Sequence, residues 1–210
     1  MQRPSSAELF LLAFLAVAAS AQSPDPAAWP ARDAHEGLLV AADPYAQAAR
    51  AKEKFGKKHP VDHGILPVEV VFRNDNDKPI LVELDSIRLL LQPPGGERQQ
   101  LDAMTMEDVF ERMLYKHGPD MSMPRYPLPR TKPKASKSKE YLELESKIRP
   151  FALEMSLVPP KTTVRGFLFF YLGRRMDAAQ NARLYLPDVK YMHNKQPLFF
   201  FEVDLSKATQ

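Results

Sequence analysis

The chain is expected to adopt an all-β fold, a two-sheet antiparallel sandwich, on three observations. Short runs rich in β-branched and aromatic residues recur at 68–72, 80–91, 162–172, 182–190 and 197–205. Turn signals stand between them: Asn74-Asp75-Asn76-Asp77 before Lys78-Pro79, Pro93-Pro94-Gly95-Gly96, and Pro159-Pro160. The strand runs follow one another without a βαβ rhythm and without an internal repeat, which favours antiparallel pairing over a parallel sheet.

Taken in order, residues 1–21 have the three parts of a secretory signal peptide. Arg3 is followed by an uncharged apolar run over 9–19 and by Ala19-Ser20-Ala21, small residues at the −3 and −1 positions of a cut after Ala21. An apolar run of about a dozen residues is well short of the ~20 that span a bilayer, and an uncleaved anchor is the alternative. The mature chain is therefore expected in the periplasm or secreted, with no membrane span. Residues 22–36, rich in Pro, Ala and Ser, read as a flexible tether, and 37–210 as a single domain. Leu38-Leu39-Val40 is a short strand. Helix-forming residues over 45–55, with Pro44 at the start and Gly56 past the end, predict a short N-terminal helix. Val68, Val70 and Phe72 share one face of a strand with one side buried. The imperfect alternation of 80–91 predicts a break near Asp85-Ser86.

Residues 104–149 interrupt the strand rhythm as a helical, Lys/Pro-rich insertion. Thr105 with Glu107 and Asp108 predicts a helix N-terminus, with Val109, Phe110, Met113 and Leu114 as its apolar face and an end at Gly118-Pro119. A second helix is predicted over 141–148, stopped by Pro150. Strands then resume over 151–158, 162–172, 182–190 and 197–205. In the last of these the odd positions face one way, and Glu202 and Asp204 the other.

Composition excludes several chemistries. The chain has no Cys, so it has no disulfide framework, no thiolate metal site and no cysteine nucleophile. It contains no Gly-x-Ser-x-Gly elbow and no glycine-rich phosphate loop between a strand and a helix. These absences point to a chain that is not an enzyme. His59 and His63 have the i, i+4 spacing of a helical metal pair, but Pro60 and Gly64 argue for a loop. Asp75 and Asp77 resemble the start of a calcium loop without its glycine and distal Glu, so they read as a turn.

Two constellations in the insertion carry candidate chemistry. Met104, Met106, His117, Met121 and Met123 include two Met-x-Met pairs, soft ligands suited to Cu(I) in an oxidising compartment. Arg125, Arg130, Lys132, Lys134, Lys137 and Lys139 open a stretch, 125–149, that carries +5, against +3 for the whole chain. This local basicity suits an anionic polymer or a protein partner. No aromatic residues interleave the charges as a nucleic-acid stacking surface would need, so nucleic acid is not expected.

The turn from Asn74 to Pro79, with Lys78-Pro79 at its end, and the stretch from Pro159 to Phe170, with Pro159-Pro160 before Gly166-Phe167, resemble immunoglobulin-like accessory domains of exported bacterial proteins of unknown function. That resemblance covers about 64–92 and 150–205. It implies an immunoglobulin-like sandwich in an exported setting and lends no catalytic residue. The expected function is a non-catalytic accessory module outside the cytoplasm that binds a partner through its insertion. A copper-binding protein and a structural component of an envelope assembly are the alternatives.

Overall fold

The computed structural model describes residues 25–92, 97–115 and 138–209; the expected signal peptide lies outside them. The described residues form eleven strands in three antiparallel sheets, where two sheets are expected from the sequence.

The first sheet contains β1 (Arg32–His35), β2 (Leu38–Pro44), β3 (Ile65–Asn74) and β8 (Thr163–Tyr171), in the order β1-β2-β3-β8. The second sets β4 (Ile80–Val82) between β10 (Val189–Tyr191) and β7 (Leu157–Val158). The third has the order β11-β9-β5-β6, from β11 (Phe201–Asp204), β9 (Ala182–Leu186), β5 (Arg88–Leu91) and β6 (Gln99–Asp102). All three sheets contribute to one apolar core. Val40, Val68, Val70 and Phe72 enter it from the first sheet, Ile80 and Val158 from the second, and Leu89, Leu184 and Phe201 from the third.

Several expectations are revised by this arrangement. Part of the expected tether is ordered. After a 3-10 turn at Pro26–Ala28 it becomes β1, joined to β2 by Glu36-Gly37 with φ of 49° and 73°. A two-residue loop with both φ positive closes a hairpin whose twist matches its strands. Because β1 is a half-exposed edge strand, it lacks the apolar alternation that would reveal it. The turn over residues 74–77 exists, but it does not close a hairpin. β3 pairs with β2 and β8, whereas β4 leaves the turn for the second sheet. Asn74, fully buried, makes this crossing possible. Its amide donates to the carbonyls of Lys78, Val158 and Pro159, and its Oδ1 accepts from the Asn76 N–H. The run 182–190 divides at Pro187-Asp188 into β9 and β10, which belong to different sheets. Of 151–158 only β7 is a strand, since the 3-10 turn Arg149–Phe151 occupies its start. In the last strand Phe201, Val203 and Leu205 point inward, but Phe199 is 73% exposed because it precedes β11. The break near Asp85 is a 3-10 turn, Leu84–Ser86.

Gly166 of β8 has a steric role. A Cβ there would lie 2.7 Å from Leu153 Cα and 2.8 Å from its nitrogen, because the 152–153 backbone crosses the strand at that point. The Leu153 N–H donates to the Phe167 carbonyl at 3.0 Å across the same crossing.

Three helices cover the side of the first sheet that faces away from the main core. α1 (Ala48–Phe55) buries Ala51 and Phe55 and ends at Gly56, whose φ of 87° few other residues adopt. α2 (Met106–Leu114) is capped by Thr105, whose hydroxyl accepts from the Asp108 N–H, and α3 (Lys139–Ile148) by Ser138. With Ile65, Phe167 and Phe169 of the sheet, these helices enclose a second apolar core. Its aromatic rings meet edge to face, Phe55 on Phe167 at 5.0 Å and Phe110 on Tyr141 at 5.3 Å. β3 is therefore buried on both faces rather than one.

Candidate functional site

The outer face of the first sheet is covered from both ends and left open in the middle. The helices cover Ile65, Phe167 and Phe169 at one end. Ala27 of the 3-10 turn and Trp29 just after it cover Leu39, Ala41 and Val71 at the other. The strip between them carries charge. In the strand register Asp43 of β2 stands directly opposite Glu69 of β3, and Arg165 of β8 is the diagonal neighbour of Glu69. Two carboxylates facing each other across a strand pair repel, and here each is met by an arginine. Arg50 of α1 grips Asp43 with both ends of its fork, at 2.6 and 3.1 Å. Arg165 lies 3.1 Å from Glu69. Glu69 also accepts the Tyr45 hydroxyl at 3.1 Å.

The resulting groove has a volume of about 610 Å³ and is walled by Trp29 on one side and Tyr45, Arg50 and Lys54 on the other. Glu69 is 7% exposed, a carboxylate nearly withdrawn from water. Burial, the nearby Glu69 charge and the hydrogen bond to it push the Tyr45 phenol up to about 12, so it remains a proton donor at any physiological pH. The Arg50 guanidinium lies 4.2 Å over the Tyr45 ring, and Arg165 stands 6.0 Å from the Trp29 ring centre. The groove is chemically mixed, with donors and acceptors interleaved along one apolar-walled trough.

Lys54 connects it to a second groove, about 580 Å³, between α1 and α3. Phe55 and Leu144 floor this one; Lys54, Lys57, Lys58 and Lys147 rim it, opposed by Glu140 and Glu143. Lys58 pairs with Glu140, and Lys147 with Glu143 at 2.7 Å. Lys54 and Lys57 make no ion pair among the described residues; Lys54 instead lies 5.1 and 5.4 Å from the Phe151 and Phe167 ring centres. Two lysine charges on the second groove are thus uncompensated among the described residues, and Lys54 is the one shared with the first.

The residues singled out in the sequence fall as follows. Met106 is buried with Phe110 and Met113 in the helix-side core, and Met104 packs against the same cluster. His117, Met121 and Met123 lie outside the described residues, as do Arg125, Arg130, Lys132, Lys134 and Lys137. Lys139 opens α3. Among the described residues no group of three His, Asp or Glu side chains is placed to hold a metal ion. His59 and His63 stand in a loop and the 3-10 turn Pro60–His63, with the buried His59 3.4 Å from Asp62. Burial lowers the His63 pKa. Asp75 and Asp77 pair with Arg73 and Lys161 at the turn. No helix among the described residues is long and apolar enough to cross a membrane.

The mixed groove is not evident from the sequence, because it depends on which strands lie side by side. The one local sign is Glu69, a lone charge within Val68-Glu69-Val70-Val71-Phe72.

No family model matches the chain, and no curated protein matches it. Among solved structures it is similar to a functionally unknown protein from Listeria monocytogenes EGD-e, at a TM-score of 0.34 and 11% identity. The match spans 75% of this chain and 72% of that one.

Proposed function

We propose that this chain is a non-catalytic accessory module that acts outside the cytoplasm by binding an anionic partner, a polymer or an acidic protein surface. The observation that carries the reading is the lysine-rimmed groove between α1 and α3, where Lys54 and Lys57, without an ion pair among the described residues, stand above an apolar floor of Phe55 and Leu144. It opens beside the first residues of α3, which lie within the basic stretch 125–149. Local positive charge attracts polyanions at long range, and the apolar floor adds contact area once they arrive. The immunoglobulin-like sandwich belongs to the same proposal: the second and third sheets form the layer opposite the first and leave the helical side free for a partner. No observation favours copper over packing for Met104 and Met106, so no metal role is added.

The reading is tested with labelled polyglutamate and polygalacturonate at low salt. Binding should weaken as salt rises, and Lys54→Glu with Lys57→Glu should cost about tenfold in affinity, roughly 1.4 kcal/mol. A chain that binds neither polymer at low salt, or binds both as well after the double charge reversal, would end the proposal.

A further inference from the structure

We infer that the mixed groove beside Trp29 is a subsite for an acidic sugar, so that the anionic partner is a polysaccharide carrying carboxylates. This rests on the polyanion-binding reading and narrows it.

The argument starts from a cost. Placing Asp43 and Glu69 opposite each other near the middle of the first sheet takes Glu69 almost wholly out of water and leaves Asp43 23% exposed, where apolar residues of similar size would hold the sheet as well or better. Residues that break the local packing rule in this way mark functional positions more often than structural ones. Their arginine partners neutralise them without exhausting them. A carboxylate offers about four acceptor sites, and Asp43 accepts only the two bonds from Arg50 among the described residues. Arg165 uses one end of its fork on Glu69, which leaves further donors free among the described residues.

Spare donors alternating with spare acceptors suit neither a simple anion nor a simple cation. They suit vicinal hydroxyls, each of which donates once and accepts twice. Trp29 adds an apolar wall for the C–H face of a ring, and a trough of about 610 Å³ lies within the range of small-ligand sites. Three cations, Arg50, Lys54 and Arg165, face two carboxylates, and Lys54 makes no ion pair among the described residues. One uncompensated positive charge at the rim calls for one negative charge on the ligand, the carboxylate of a uronic acid unit. Lys54 also lines the neighbouring groove, so a chain of such units could run from one into the other.

Trp29 is the only tryptophan in the chain, so its fluorescence reports this groove alone. The full mature chain is titrated with a short galacturonide oligomer and with a glutamate oligomer of matched charge. The galacturonide should produce a saturable change in Trp29 emission and the glutamate oligomer none. Lys54→Gln and Glu69→Gln should each weaken the galacturonide response about tenfold, while Lys195→Gln, which lines neither groove, leaves it unchanged. Lys54→Gln alone carries the test if Glu69→Gln fails to fold. The inference is overturned if Trp29 responds equally to both oligomers, if Lys54→Gln has no effect, or if Trp29 is silent to galacturonide. Silence while labelled polyglutamate still binds would defeat the sugar subsite and leave the polyanion module standing. Failure of every polyanion to bind would defeat both.

Discussion

Asn74 shows how much one side chain can hold. Its buried amide joins the carbonyl of Lys78 to those of Val158 and Pro159, far away in sequence, and its oxygen shapes the turn that carries the chain from the first sheet to the second. Asn74→Ala should cost about 2–3 kcal/mol in chemical denaturation, because it leaves buried carbonyls without donors; a change within error would mean that water replaces the amide. Tyr45 makes a pH prediction. Its phenol is raised from 10.0 to about 12 by burial and by Glu69, so between those values the unfolded chain loses this proton and the folded chain keeps it. Stability tied to the group is then complete below pH ~10 and falls as pH rises toward ~12. Phenolate absorbance should show one late-titrating tyrosine, absent in Tyr45→Phe, and the variant should lose less stability over that window. Residue chemistry of this kind was half legible: Asn74 reads as a turn former, but nothing local says that its amide would be buried between two sheets.

At the scale of elements, the helices were the most legible parts. The Thr105 cap with acids behind it, the apolar positions Val109, Phe110 and Met113, and Gly56 after α1 all appear where their chemistry places them. What the helices cover was less legible, since an amphipathic face does not name its partner. α2 and α3 meet through Phe110 and Tyr141 above Phe167 and Phe169. Phe110→Ala should therefore lose about 3–5 kcal/mol, whereas Leu142→Ala, on the exposed side of α3, should change stability by less than ~0.5 kcal/mol. Equal losses in thermal or denaturant melts would show that the helices do not close over the sheet in this way. Strand boundaries failed where tertiary pairing overrode local pattern. β1 is too polar to be noticed as an edge strand, and 182–190 reads as one strand until Pro187-Asp188 sends its halves to different sheets.

The whole molecule is organised around β3. It is the longest of the described strands and is buried on both faces, flanked by β2 and β8 and lying between the main core and the helix-side core. Local opening free energy follows burial and pairing, so β3 amides should exchange with solvent more slowly than those of any other strand. β6, an edge strand with mostly exposed residues, should exchange fastest among the strands. Hydrogen exchange by mass spectrometry or NMR checks this, and comparable rates in β3 and β6 would refute the two-core organisation. The candidate site also belongs to this scale. It is the gap between two covers on one face of the first sheet, and no single segment contains it.

The amino-acid sequence by itself determined the mostly β character, the places where turns and helix ends fall, and the absence of cysteine chemistry, because each rests on local backbone preference or on composition. Only the tertiary structure decided that the strands divide into three sheets, that β3 is enclosed from both sides, and that Asp43, Glu69 and Arg165 become neighbours across three strands. The physical reason is range. A turn or a cap is a free-energy choice made within a few residues, whereas the register that sets Asp43 against Glu69 depends on burying the apolar positions of distant strands all at once.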